Sequence, residues 1–301
     1  MRILLMYEPN ARHFEALKKA APFAHFDIAK DEPMAQKSIE DADVVLGNRY
    51  FVQSLPFAKK LKWMQSNSAG LDPILISPHA HAPFLLTSSR GVYDEEVAEH
   101  ALALILSLAR KLHLFRDEQK RGMWNRVSLK QIAHCRCLIL GYGSIGRAIG
   151  KKLLALGAHV EGVGKNTPPT WKESLPKLDF LIVSLPLTPL TRNLVESSIL
   201  KQLPPHAHLI NVGRGETVDE IALLHQIQTG ALAGAALDVF ENEPLFPSHP
   251  FWKEEKIVIT PHNARSPEEK GPLWEALFEE NLCRFYSGKP LLNLVNKSAG
   301  Y

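Results

Sequence analysis

Three short segments of this chain carry side chains able to hold a carboxylate and move a proton. In Asn211-Val212-Gly213-Arg214-Gly215 an arginine stands between two glycines, just past an apolar run. Its guanidinium is a planar fork of donors that can bond both oxygens of a carboxylate at once. Leu237-Asp238-Val239-Phe240-Glu241-Asn242-Glu243-Pro244 offers Asp238 at the end of a small apolar run and Glu243 in a loop fixed by proline. Ile259-Thr260-Pro261-His262-Asn263 places a histidine after another apolar run. A histidine with a carboxylate partner can hold and deliver a proton near neutral pH. Singly, each has a plainer reading: a capping or surface arginine, solvated loop carboxylates, a structural histidine. As a set they complete a carbonyl reduction. His262 would give the proton, Glu243 would orient His262 and stabilise its charged form, and Arg214 would hold the substrate carboxylate and polarise the keto group.

A hydride source is written nearby. Leu138-Ile139-Leu140-Gly141-Tyr142-Gly143-Ser144-Ile145-Gly146 runs from an apolar strand into Gly-x-Gly-x-x-Gly, and helical spacing follows through Leu156 to a stop at Gly157. In that context Gly141 allows the sharp turn, Gly143 lets the backbone approach a pyrophosphate, and Gly146 lets the helix pack close to the strand. The helix start then offers free N–H groups and partial positive charge to phosphates. The plainer reading is an ordinary glycine-rich turn between strand and helix.

The elements that must position these residues alternate along the chain. Strands are expected at 138–140, 159–163, 180–184, 208–212, 234–239 and 257–260, which argues for a parallel sheet covered on both faces. Shorter strands at 3–6, 25–28, 44–46, 61–65 and 84–87 make the N-terminal part a second α/β domain without a glycine turn of this kind. Residues 95–112 read as one long helix linking the domains, and the stretch from Pro267 to about Tyr286 as a terminal helix whose tail returns to the N-terminal domain. The expected division is 1–92 plus 267–301 for a substrate domain and 93–266 for a dinucleotide-binding domain. The fold class is α/β, with two Rossmann-like or flavodoxin-like domains, parallel sheets and a deep cleft between them.

Bulk properties narrow the classes. The 301 residues are 45% hydrophobic and 22% charged, with a formal net charge of +3. That charge is too small, and too scattered, to imply nucleic acid. The apolar run 101–106 is too short to span a bilayer, and Tyr7-Glu8-Pro9 cuts off the N-terminal apolar stretch before it could be a signal peptide. A cytoplasmic location is expected. Three cysteines, without further ligands at metal spacing, read as reduced small apolar residues, so no metal is expected.

These motifs together resemble the D-isomer-specific 2-hydroxyacid dehydrogenases, over essentially the whole chain. The resemblance rests on 141–146, Leu185-Pro186-Leu187-Thr188, Asn211–Gly215, Asp238–Pro244 and Thr260-Pro261-His262. It implies that Arg214, Glu243 and His262 are the catalytic set. It also implies a cofactor site at Gly141, Tyr142, Gly143, Ser144, Ile145 and Gly146, lined by Leu185, Pro186, Thr188, Val212 and Gly213, with Asp238 at the nicotinamide amide. Asn67-Ser68-Ala69-Gly70-Leu71-Asp72 is similar to the family's carboxylate loop, with Ser68, Ala69 and Gly70 as substrate contacts. A homodimer is implied through the 95–112 helix and a 116–127 arm carrying Met123 and Trp124.

One departure bears on the cofactor. Members that prefer NAD carry an acidic residue at the end of the second strand. Here that position is Gly164, followed by Lys165, while Glu161 lies on the opposite face of the strand. NADP(H) is therefore expected over NAD(H), with Lys165 near the 2′-phosphate. Reduction of glyoxylate or hydroxypyruvate is the favoured activity. A dehydrogenase for another D-2-hydroxy acid, or a dinucleotide-sensing corepressor-like binding protein of the same fold, stays open.

Overall fold

In the computed structural model, residues 1–265 and 273–298 are described. The chain forms two compact units, one of Met1–Tyr93 with Pro267–Tyr301 and one of Asp94–Ser266. The first is built on a five-stranded, all-parallel sheet of β1 (Arg2–Leu5), β2 (His25–Ile28), β3 (Val44–Leu46), β4 (Trp63–Gln65) and β5 (Leu85–Thr87), in the order β2-β1-β3-β4-β5. Its strands are short apolar runs whose side chains, such as Leu4, Val45, Met64 and Leu86, fill one continuous core. The C-terminal tail lies on this unit, with Leu294 bridging Thr87 and Val295 N–H donating to Leu86.

The second unit carries β6 (Arg136–Leu140), β7 (His159–Val163), β8 (Phe180–Val183), β9 (His208–Asn211), β10 (Gly234–Leu237) and β11 (Ile257–Ile259). All pair in parallel, in the order β11-β10-β9-β8-β6-β7. Chain order reverses at β6, between β7 and β8. Ligands of open parallel sheets bind outside the carboxyl ends of the strands at such a reversal. Central strands of this kind are apolar on both faces because both faces are covered. Phe180, Leu181, Ile182 and Val183 are accordingly all buried.

The expected single helix over 95–112 is two helices, Asp94–Ala109 and Leu112–Lys120. Lys111 takes a left-handed φ of 55° between them. The buried stripe of Val97, Ala98, Ala101, Leu104, Ile105 and Leu108 ends at Ala109, whereas Leu112 is exposed, so no burial holds the first helix on course. The terminal helix is described over Trp274–Tyr286. The expected helical residues 267–272 lie outside the described part.

Candidate active site

The glycine turn leaves β6 as its sequence requires. Gly141 has φ +94°, and a Cβ there would stand 2.6 Å from the Ser184 carbonyl oxygen. Only glycine fits both conditions. At Gly146 a Cβ would meet the Gly141 carbonyl at 2.3 Å, so the helix Ser144–Ala155 packs hard against its own turn. Gly143, the N-cap residue, faces open space and makes no side-chain cap. The helix therefore presents unsatisfied N–H groups and the positive end of its dipole, which suits a pyrophosphate. Tyr142 closes one side of the turn. Its ring lies where a Cβ on Gly162 would be, 2.3 Å away, and its hydroxyl is 2.9 Å from the corresponding position on Gly150.

At the end of β7, Gly164 is exposed, and a side chain built there meets nothing within 4 Å. Its N–H donates to Thr167 Oγ1 at 2.9 Å. Lys165 is exposed beside it. Glu161 accepts from Ser174 Oγ at 2.6 Å. After β8, Thr191 Oγ1 ties the 185–188 segment together, accepting from Thr188 N–H at 2.8 Å and donating to the Pro186 carbonyl at 2.6 Å. These features together fit a dinucleotide.

The three residues expected to handle a proton and a carboxylate follow successive strands. Arg214 leaves β9, with its backbone carbonyl held by Asn211 Nδ2 at 3.0 Å and Thr217 Oγ1 at 2.6 Å. Next to it, a Cβ on Gly215 would fall 1.9 Å from the Phe240 carbonyl carbon, so the chain ends of β9 and β10 touch backbone to backbone. Glu243 follows β10. Its Oε1 accepts from Phe240 N–H at 3.0 Å, and its Oε2 lies 2.6 Å from His262 Nδ1. With Nδ1 committed to the carboxylate, Nε2 is the nitrogen left to exchange a proton with a ligand. The imidazole is about half exposed, as that role needs.

Asp238 is the fixed point behind this pair. It is 1% exposed. Burial raises its carboxyl pKa, but donors from His100, Thr260 and Asn263 more than offset this, and it lies below the ordinary aspartate value. Sequence reading brought Asp238 forward but missed His100. The available signal was a polar residue in an Ala- and Leu-rich helix.

In the first unit, the Asn67–Asp72 segment follows β4 and is held from below by its carbonyls. Ser66 O accepts from Gln65 Nε2 and Ser89 Oγ, Asn67 O from Tyr93 Oη, and Ser68 O from Ser89 N–H. Asn48 Nδ2 reaches Ser68 Oγ at 3.2 Å. Among the described residues, no acceptor takes the Ala69 or Gly70 N–H. A loop with carbonyls engaged below and amides left over is suited to an anion. Most of these supports are invisible in sequence because Asn48, Ser89 and Tyr93 lie about twenty or more positions from the carbonyls and hydroxyl they hold.

A parallel α/β unit with a phosphate-ready glycine turn and a histidine–glutamate pair defines a dinucleotide-linked oxidoreductase. The family model for the D-isomer specific 2-hydroxyacid dehydrogenase NAD binding domain matches residues 102–264. The chain is 31% identical over 294 residues to a glyoxylate reductase of Thermofilum pendens, covering 89% of this chain and 87% of that protein. It is 32% identical over 255 residues to a hydroxyphenylpyruvate reductase of Plectranthus scutellarioides, covering 81% and 80%. Among solved structures, an NADPH-dependent glyoxylate/hydroxypyruvate reductase from Sinorhizobium meliloti, in complex with NADP and sulfate, superposes with a TM-score of 0.86. Its identity is 27%, over 100% of this chain and 99% of that one. The protein belongs to the D-isomer specific 2-hydroxyacid dehydrogenase family and is an NAD(P)-dependent enzyme of that family. Among the described residues, no cluster could hold a metal ion, and no helix is long and apolar enough to cross a membrane.

Proposed function

We propose that the protein reduces a small 2-keto acid, of the glyoxylate or hydroxypyruvate type, to the D-2-hydroxy acid with NADPH. The observation that carries this reading is the 2.6 Å pair of His262 Nδ1 and Glu243 Oε2 among strand ends suited to a dinucleotide. When bound, the nicotinamide supplies the hydride. His262 Nε2 donates the proton to the carbonyl oxygen, and Glu243 fixes the ring and its tautomer. Arg214 holds the substrate carboxylate and polarises the keto group, and the backbone amides of Ala69 and Gly70 bind the same carboxylate, with Ser68 beside them, its own N–H donated to Ser66 Oγ at 3.0 Å. Asp238 faces the nicotinamide amide in this reading.

NADPH is favoured because Gly164 leaves room for a 2′-phosphate and Lys165 brings a cation beside it. The relative solved with NADP supports this. A homodimer is supported by the irregular segment after Lys120, where Met123 and Trp124 are exposed. Three unpaired cysteines are in keeping with a reducing, cytoplasmic compartment.

The test is a spectrophotometric panel of glyoxylate, hydroxypyruvate, hydroxyphenylpyruvate and pyruvate, each with NADPH and NADH. Highest kcat/KM with glyoxylate or hydroxypyruvate and NADPH is expected. Preference for hydroxyphenylpyruvate would move the substrate class, and no oxidation of either cofactor would overturn the reading.

A further inference from the structure

We propose that His100, in the Asp94–Ala109 helix, is a positioning residue that locks the turn carrying His262. The inference rests on His262 acting as the proton donor.

His262 has φ +50°, a left-handed backbone that costs a non-glycine residue free energy because its Cβ crowds the following carbonyl. Such a conformation persists only where its surroundings over-determine it. Here three successive amides close on one residue. His262 N–H donates to Asp238 O at 2.8 Å, Asn263 N–H to Asp238 Oδ1 at 2.9 Å, and Ala264 N–H to Asp238 Oδ2 at 3.1 Å. The turn is wrapped around Asp238, so its geometry depends on where that carboxylate points.

The carboxylate is aimed from the other side by Thr260 and His100. Thr260 Oγ1 donates to Asp238 Oδ1 at 2.6 Å. A threonine hydroxyl has one proton, and this bond uses it. The contact of His100 Nε2 with Thr260 Oγ1, at 3.0 Å, must then run from the ring to the hydroxyl, so His100 carries a proton on Nε2. The same nitrogen lies 3.4 Å from Asp238 Oδ1. One ring N–H thus braces both the hydroxyl and the carboxylate. Its side chain is mostly buried, which keeps water from replacing it.

The test uses full-length wild type, His100→Leu, His100→Gln, His262→Ala and the His100→Leu/His262→Ala double variant. Turnover of glyoxylate with NADPH is measured together with amide hydrogen exchange over residues 260–264. His100→Leu should lower kcat about tenfold with little change in KM for NADPH, and speed exchange in the 260–264 turn. His100→Gln places an amide donor near the Nε2 position and should restore most of both. If folding fails in His100→Leu, Thr260→Val removes the same brace and should show the same pattern. In the His262→Ala background, His100→Leu should cost nothing further, because both changes act through one group. Additive losses in the double variant, no rescue by Gln, or unchanged exchange would overturn the proposal. Normal turnover in His262→Ala would instead show that the proton-donor reading is the one at fault.

Discussion

The two sheets share one topology and use it differently. In each, the first strand lies between the second and third, so β1 and β6 both stand where the chain order reverses. In each, a tyrosine follows two residues beyond the strand end, Tyr7 and Tyr142. At β1 the opening is filled. A Cβ on Gly47 would meet the Tyr7 ring at 2.7 Å, so the ring covers the end of β3. Tyr7 Oη is 2.8 Å from His13 Nε2, and His13 Nδ1 is 2.8 Å from Glu279. The helix Ala11–Ala20 is capped by Asn10, whose side chain accepts the His13 N–H at 2.9 Å. At β6 the Tyr142 ring lies over Gly162 on the β7 side instead, and Gly143 makes no side-chain cap and faces open space. Identical strand order therefore does not make a phosphate site. An uncapped helix start, left open by glycine, does.

The largest effect should come from closing the open end. Gly143→Asp adds a capping carboxylate where phosphate would bind, at a backbone position (φ −78°) that any residue tolerates. NADPH affinity, read by titration calorimetry, should fall about a hundredfold, or ~2.7 kcal/mol. Thermal stability should hold or rise. Unchanged affinity would break the comparison.

A smaller change sharpens it. Gly164→Asp meets no neighbour, so it should fold normally while repelling a 2′-phosphate. The NADPH-to-NADH ratio of kcat/KM should drop about tenfold. An unchanged ratio would remove Gly164 from cofactor choice.

At the closed end the effects should be on stability alone. Asn10→Ala removes both the N-cap and the Nδ2 donation to the buried Glu275 at 2.6 Å, and should cost about 2–3 kcal/mol in urea unfolding, with cofactor binding intact. Tyr7 gives a pH signature. Burial, then Glu275 and Glu279, push its phenol above the ordinary 10.0. The folded state therefore keeps a proton that the unfolded state releases. Its contribution is whole below pH 10 and declines as pH rises above it. Tyr7→Phe should flatten that alkaline decline, at a cost of about 0.5–1.5 kcal/mol near neutrality for the lost hydrogen bond.

Much of this was legible in the sequence because the signals are local. The buried strand β3 reads as an apolar run and falls where its residues place it, and the partly buried edge strands β2 and β7 also match their expected spans. The glycine turn and the three strand-end segments are contiguous motifs. What stayed hidden depends on partners far along the chain. The His100–Thr260 bond joins residues 160 positions apart. The carbonyl supports of Ser66, Asn67 and Ser68 come from Ser89 and Tyr93, in the 88–93 connection more than twenty positions away. The break at Lys111 was hidden for another reason. Helical periodicity continues through it, and only the exposure of Leu112 shows that burial has stopped directing the chain.

The most direct test of the account follows the hydride. Glyoxylate should be reduced with NADPH deuterated at the transferring position of C4, and the product examined by mass spectrometry and NMR for wild type and His262→Ala. One deuteron is expected on the former carbonyl carbon in the wild type. In His262→Ala the rate should be at least about a hundredfold lower, the usual scale for loss of a general acid, with NADPH binding preserved. Label transfer at near wild-type rate without His262, or no transfer by the wild type, would contradict it.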